Sequence, residues 1–363
     1  MNLSRRTLIA ATAATATLPA TAAPRGRMRR IATEEGFSTP ELIDAIDAYM
    51  ATRGDEEPGL KAMIGGGKYP RWPRLLDPEV RLKDMARSGV DMQVIMVNSP
   101  GVQIFDPAQA TELARSINER ALTWMRRWPD KFAPLAAIAP QAPAQAAQEL
   151  ERAVRAGLKG AVVNSHTKGR YLDERDYWPI FEAAQALDVP IYIHPRDPAP
   201  PALPAYAARG LEGAVWGYAA ETSLHILRLI MAGVFDTFPR LRIVIGHNGE
   251  AIPFYLDRID NRYRVMHGGG LGPLKRSPAT VFRENFWITT SGTNWSPAVR
   301  TCQEILGADR VLFAVDYPFE DEDDAVAKAA AIPMSRADAA LFFHRNAERV
   351  FKLPAGGERA APA

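Results

Sequence analysis

From Arg30 to Ala314 the chain alternates short β-rich runs with longer amphipathic stretches, the pattern expected of βα units. Eight such runs are readable: Arg30–Thr33, Met92–Val97, Phe132–Ile138, Gly160–Asn164, Pro190–Ile193, Arg242–Ile245, Phe286–Thr290 and Val311–Ala314. The stretches Pro107–Arg127, Pro143–Ala156, Asp176–Leu187, Glu221–Val234, Ile252–Arg264 and Pro297–Leu306 predict helices between them. Pro143 suits a first helical position, where its missing N–H costs nothing, and Asp173 and Asp176 stand where capping carboxylates would start a helix. Eight units over residues 30–353 predict one domain of the α/β class, a (β/α)8 TIM-like barrel, rather than two smaller domains. Residues 65–74 and 198–204 read as long loops, and residues 354–363 as a flexible tail.

Composition excludes several classes of function. With 44 basic and 42 acidic residues in 363, there is no charge excess to attract nucleic acid or another polyanion. Cys302 is the single cysteine, so neither an intrachain disulfide nor a thiolate metal cluster can form. Residues 1–23 hold Arg5-Arg6, an Ala/Thr-rich apolar run and a closing Ala20-Thr21-Ala22, which resembles a twin-arginine signal. Such a signal exports folded protein, and the expected location is the periplasm. No later segment is apolar and long enough to predict a membrane span.

Chemistry is concentrated where the runs end. Glu34-Glu35 follows the first run, Asn98-Ser99 the second and Gln141 the third. Asn164-Ser165-His166, His194-Pro195-Arg196, His247-Asn248-Gly249-Glu250, Thr290-Ser291 and Asp316 follow the remaining five. In a barrel these groups converge on the mouth at the carboxyl ends of the strands. Two histidines and two carboxylates, one per strand, form an N2O2 set able to hold one divalent ion, zinc or manganese, with positions left for substrate. Neighbouring strand residues face opposite sides, so Glu34 and Glu35 cannot both point inward. No lysine ends the fourth run, which argues against a carbamylated lysine bridging two metals.

The phrases Ile31-Ala32-Thr33-Glu34-Glu35-Gly36-Phe37, Asn164-Ser165-His166-Thr167, Ile191-Tyr192-Ile193-His194-Pro195, Gly246-His247-Asn248-Gly249-Glu250 and Phe313-Ala314-Val315-Asp316-Tyr317-Pro318-Phe319 carry a resemblance. Through them, and from about residue 30 to Leu353, the chain resembles the non-oxidative aromatic acid decarboxylases of the amidohydrolase superfamily. The similarity is to the types acting on 5-carboxyvanillate, γ-resorcylate and 2,3-dihydroxybenzoate. The resemblance implies that Glu34, His194, His247 and Asp316 bind the metal, and that Asp316 is also the proton donor. Gly36 stands where many superfamily members place a further metal-binding histidine, Asn248 replaces a usual methionine, and Arg196 is a departure next to His194-Pro195.

The implied reaction is decarboxylation of an ortho-hydroxylated aromatic acid. Direct loss of CO2 would leave an aryl carbanion, whereas protonation of the ring carbon first gives a dienone that sheds CO2 on rearomatising. Asp316 must hold a proton for this, which calls for a raised pKa. Glu250, three residues beyond His247, could share or relay that proton; a helix-start carboxylate is an equally good reading. Arg196 is expected to meet the substrate carboxylate, with Lys68, Arg71, Arg74 and Arg228 as other candidate cations. His166 is expected at the mouth, either hydrogen-bonding a ring substituent or, as an equal alternative, supporting the residues that do. Phe319, with Trp216, Tyr317 and Trp295, is expected to line the ring pocket, while His225 reads as a packed core residue. The alternative is a hydrolase, in which the same metal activates water to open a lactone, ester or amide. The expected partner is a small aromatic acid, and the expected assembly a homo-oligomer, dimer or tetramer.

Overall fold

A computed structural model describes residues 27–356, so the segment expected to be a signal and the residues beyond 356 lie outside the described residues. Its strands are β1 (Ile31–Phe37), β2 (Met92–Val97), β3 (Ala136–Ala137), β4 (Ala161–Asn164), β5 (Ile191–His194), β6 (Ile243–Ile245), β7 (Phe286–Thr289) and β8 (Val311–Leu312). Every one falls within or beside a run predicted from the sequence. β1 pairs in parallel with β2, and β3 through β8 pair in parallel in chain order.

Backbone bonds outside the regular ladders join the two sheets into a ring. Gln93 N–H donates to Lys131 O at 2.8 Å and Leu135 N–H to Ile95 O at 2.8 Å, linking β2 to the segment entering β3. On the other side, Thr33 N–H donates to Phe313 O at 3.1 Å and Gly36 N–H to Tyr317 O at 2.7 Å, linking β8's continuation to β1. β3 covers only the end of its apolar run, and a helix side chain bonds its last residue. Asn118, on the helix Pro107–Arg127, donates to Ala137 O at 2.9 Å and accepts from Ala137 N–H at 2.8 Å. The strands are buried on both faces, as a parallel sheet sheathed in helices requires. Ile191, Ile193, Ile243, Ile245 and Ile288 are fully buried. Each such side chain contributes about 1.5–3 kcal/mol to holding the ring closed.

The helices Pro107–Arg127 and Pro143–Ala156 have the predicted limits. Asp106 caps the first, accepting from Ala108 and Gln109 N–H, and Gly157 at φ 122° ends the second. Elsewhere the boundaries differ. Asp173 and Asp176 do not cap a helix: Asp173 pairs with Arg228 at 2.9 Å and Asp176 with Arg170 at 3.0 Å, while the helix starts at Trp178. The stretch read as Glu221–Val234 is the helix Gly217–Met231, stopped where Gly233 turns left-handed at φ 72°. Residues 65–74 and 198–204 are not wholly loop, since short helices Pro73–Leu76 and Leu203–Ala207 begin inside them. Among the described residues no helix is long and apolar enough to cross a membrane.

Candidate metal centre at the mouth of the barrel

β1 carries a bulge between Ala32 and Glu35, where three residues advance against two on β2. Bulges re-aim side chains beside functional sites, and this one lies at Thr33 and Glu34. Glu34 points into the barrel, 1% exposed. Its Oε2 accepts from the Tyr192 hydroxyl and, at 2.7 Å, from Thr289 Oγ1. Its Oε1 is buried with no hydrogen-bond partner and faces His194 Nε2 at 3.7 Å and His247 Nε2 at 4.0 Å. An unpartnered buried carboxylate oxygen costs about 1–3 kcal/mol or more unless a cation or donor meets it.

The two imidazoles present the nitrogens a metal would need. His194 Nδ1 lies 2.9 Å from Pro195 O, a bond only an N–H can make, so Nε2 keeps its lone pair toward Glu34. Burial lowers the His194 pKa, against opposing pulls from Glu34 and Asp316, and keeps the ring neutral as a ligand must be. His247 Nδ1 meets Glu250 Oε1 at 2.8 Å, which turns Nε2 toward Asp316 Oδ2 at 3.7 Å. Burial depresses His247 too, but Glu250, Glu34 and Asp316 outweigh it and hold the ring well above its usual range. The raise comes from the negative charge gathered at this point, and a divalent cation there would take the place of the ring proton on Nε2. Ligand atoms of Glu34, His194 and Asp316 all lie within 4.8 Å of one another. The donor set and the orphaned oxygen fit one divalent cation.

The segments that deliver these residues are bent sharply. His247, Asn248, Gly249, Glu250 and Ala251 have φ of 50, 54, 77, 53 and 63°, and Asp316 has φ 79°. Left-handed non-glycine residues cost roughly 1–3 kcal/mol each and persist only where surrounding contacts overdetermine them. One such contact is Asn248, whose Nδ2 donates to Thr293 O and Oγ1, both at 2.9 Å. It ties the turn after β6 to the turn after β7.

Other expected site residues are placed differently. Arg196 is 3% exposed; it pairs with Glu57 at 2.5 Å and donates to His166 O at 3.0 Å. Its charge is therefore balanced within the protein by Glu57. His166 is also engaged at both ring nitrogens, with Gly169 N–H on Nδ1 and Asp197 O beside Nε2, each at 3.1 Å. Both side chains are engaged within the protein and brace the turns after β4 and β5. Arg71, Arg74 and Arg228 are likewise paired, with Asp44, Asp84 and Asp173. Tyr317 does not line a ring pocket, because it is 2% exposed and its hydroxyl donates to Asp84 at 2.8 Å. His225 is fully buried, accepting Leu172 N–H at 3.1 Å, as a packed core residue would. Phe319 does stand at the mouth, 46% exposed, its ring 5.7 Å from that of Trp72. A side chain at Gly36 would meet Phe319 Cε2 at 3.3 Å, so Phe319 crowds the space beside Gly36. Trp216 and Trp295 are exposed.

Sequence reasoning missed Tyr192 and Thr289, the two donors on Glu34. Tyr192 left a trace, since it lies two residues before His194 and a strand repeats its facing every second residue.

Comparison with known proteins agrees with this arrangement. The family model described as Amidohydrolase matches residues 42–353. The γ-resorcylate decarboxylase of Polaromonas sp. is 36% identical over 334 residues, which cover 89% of this chain and 98% of that one. The crystal structure of 5-carboxyvanillate decarboxylase from Novosphingobium aromaticivorans, complexed with manganese and 4-hydroxy-3-methoxy-5-nitrobenzoic acid, is 38% identical. It superposes with a TM-score of 0.85 over 90% of this chain and 96% of that one. Dihydroxybenzoic acid decarboxylase from Polaromonas sp., with manganese and 2-nitroresorcinol, gives a TM-score of 0.78 at 35% identity, covering 90% and 97%. With its strand-end carboxylates and histidines in place, this chain belongs to the amidohydrolase superfamily, in the branch of aromatic acid decarboxylases.

Proposed function

We propose that the protein is a metal-dependent, non-oxidative decarboxylase of an ortho-hydroxylated aromatic carboxylic acid, of the 5-carboxyvanillate or hydroxybenzoate type. The observation that carries this reading is the buried Glu34 Oε1, without a hydrogen-bond partner and aimed at two imidazole Nε2 atoms beside Asp316. Glu34, His194, His247 and Asp316 would hold one divalent ion, manganese or zinc. Such an ion would supply Lewis-acid stabilisation of substrate negative charge and help orient the substrate.

The remaining work falls to the chain. Tyr192 and Thr289 fix Glu34 through Oε2 and leave Oε1 for the ion. Glu250 holds His247 by Nδ1 and keeps its Nε2 directed inward. The exposed rings of Phe319 and Trp72 offer apolar faces at the entrance for an aromatic acid. Asp316 hands its proton to the ring carbon that bears the carboxylate. The new C–H bond uses a pair of ring π electrons; breaking the C–C bond returns a pair to the ring and releases CO2. Asp316 is left ionised and takes its next proton from solvent. The relatives named for decarboxylation support this reading over the hydrolytic one.

Given a panel of hydroxybenzoates in deuterated water, the metal-loaded protein should release CO2 and place one deuterium on the carbon that lost its carboxylate. Solvent oxygen in the product, with ring carbons unlabelled, would overturn the reading in favour of a hydrolase.

Export to the periplasm belongs to the same proposal, supported by Arg5-Arg6 and Ala20-Thr21-Ala22. Replacing both arginines with lysine should retain the protein in the cytoplasm, as fractionation would show; undiminished periplasmic protein would make the motif accidental. A homo-oligomer is also proposed, supported by the exposed Phe254, Tyr255, Val265 and Met266 along Ile252–Met266. A monomeric mass by light scattering would refute it.

A further inference from the structure

We infer that Glu35, the neighbour of the metal-facing Glu34, is a positioning residue that sets the Asp316 carboxylate in place. Glu35 is fully buried and its carboxylate is turned toward the turn after β8. Its Oε1 accepts the Val315 N–H and its Oε2 the Tyr317 N–H, both at 3.0 Å. One carboxylate thus spans the residues on either side of Asp316.

Asp316 needs such a clamp because its φ of 79° is one that non-glycine residues rarely adopt. Neighbouring contacts hold the same turn. Gly36 N–H donates to Tyr317 O at 2.7 Å, and Gly292 N–H donates to Val315 O at 3.2 Å. Tyr317 is tied to Asp84 by its hydroxyl, with the Arg81 guanidinium 4.5 Å from its ring centroid. The consecutive carboxylates of β1 therefore divide the work. Glu34 faces the ion, and Glu35 holds the turn that brings the opposite carboxylate, from β8, to the same ion.

The clamp needs an acceptor at each of the two Glu35 oxygens. Both peptide groups donate, so both partner atoms must accept, whereas a carboxamide offers one acceptor and one donor. In Glu35→Gln an NH2 group must face either Val315 N–H or Tyr317 N–H, and the turn must shift to relieve it.

The test is a thermodynamic cycle on the manganese-loaded enzyme, read by chelator competition. Glu35→Gln should weaken manganese binding by ~10-fold or more, in the range seen when groups that orient a ligand are lost. The same substitution in the Asp316→Ala background, which keeps no side-chain oxygen at 316, should change binding by less than ~2-fold, because coupled residues are not additive. The catalytic arm, which rests on the proposed decarboxylation, should show kcat reduced by ~10-fold or more with KM within ~3-fold. Wild-type manganese affinity in Glu35→Gln, or an equal loss in both backgrounds, would overturn the assignment. If Glu35→Gln does not fold, Glu35→Asp, whose carboxylate is one methylene short of reaching the two N–H groups, goes through the same cycle under the same criteria. A wild-type enzyme that releases no CO2 would refute the proposed function, while the manganese cycle would still decide on Glu35.

Discussion

The Asp316→Asn enzyme should turn over at least ~10²-fold more slowly than wild type, the scale of losing a general acid, while still binding an inert nitro analogue of the substrate. The substitution keeps the size of the side chain and one oxygen. Oδ2, the oxygen 3.7 Å from His247 Nε2, belongs to the only strand-end carboxyl group that the proposed mechanism sets over the ring carbon. The backbone should tolerate the change. Asparagine adopts left-handed φ more readily than most residues, and the Glu35 clamp binds main-chain N–H groups rather than the Asp316 side chain. Manganese binding should weaken but persist. The measurement is steady-state CO2 release per bound metal, beside analogue binding by titration. Normal turnover by this variant would refute the proton-donor role.

His194→Ala and His247→Ala should each lose bound metal, with activity falling in parallel. Groups that only orient a ligand are worth ~10–100-fold in metal affinity, and a direct ligand should exceed that. The fold should survive both changes. β5 pairs with β4 through main-chain bonds at His194, and the His247 ring stands at the mouth, 23% exposed, clear of the isoleucine layers that close the ring. His247→Ala also leaves Glu250 without its imidazole partner, so its melting temperature should fall further than that of His194→Ala. Elemental analysis with circular dichroism checks the prediction. Full metal content in both variants would sink the ligand assignment.

Much of the fold was legible in the chain because its signals are local. Each apolar run is bounded by its own polar turn, and Pro107 and Pro143 mark helix starts that the structure reproduces. Asp173 and Asp176 misled for a matching reason. An aspartate before an apolar stretch satisfies the local rule for a cap, yet Arg228 and Arg170 claim these two as ion-pair partners. Arg170 is only a few residues away, but Arg228 is 55 residues along the chain.

The candidate site divides along the same line. The sequence by itself determined that His194, His247, a glutamate from the first strand and Asp316 would meet. The order of strands in a βα barrel follows the order of the chain, and all strand ends of one polarity open on one face. It did not determine which of Glu34 and Glu35 turns inward. Alternation excludes both together, but the bulge at Thr33–Glu34 resets the alternation, and that bulge exists only in pairing with β2 and β8's continuation. Nor could it show that Arg196 is neutralised by Glu57, 139 residues earlier, or that Tyr192 and Thr289 leave one Glu34 oxygen bare. Periodicity along a chain reports which face a residue takes. The partner it finds there depends on segments that are distant in sequence and adjacent only after the barrel has closed.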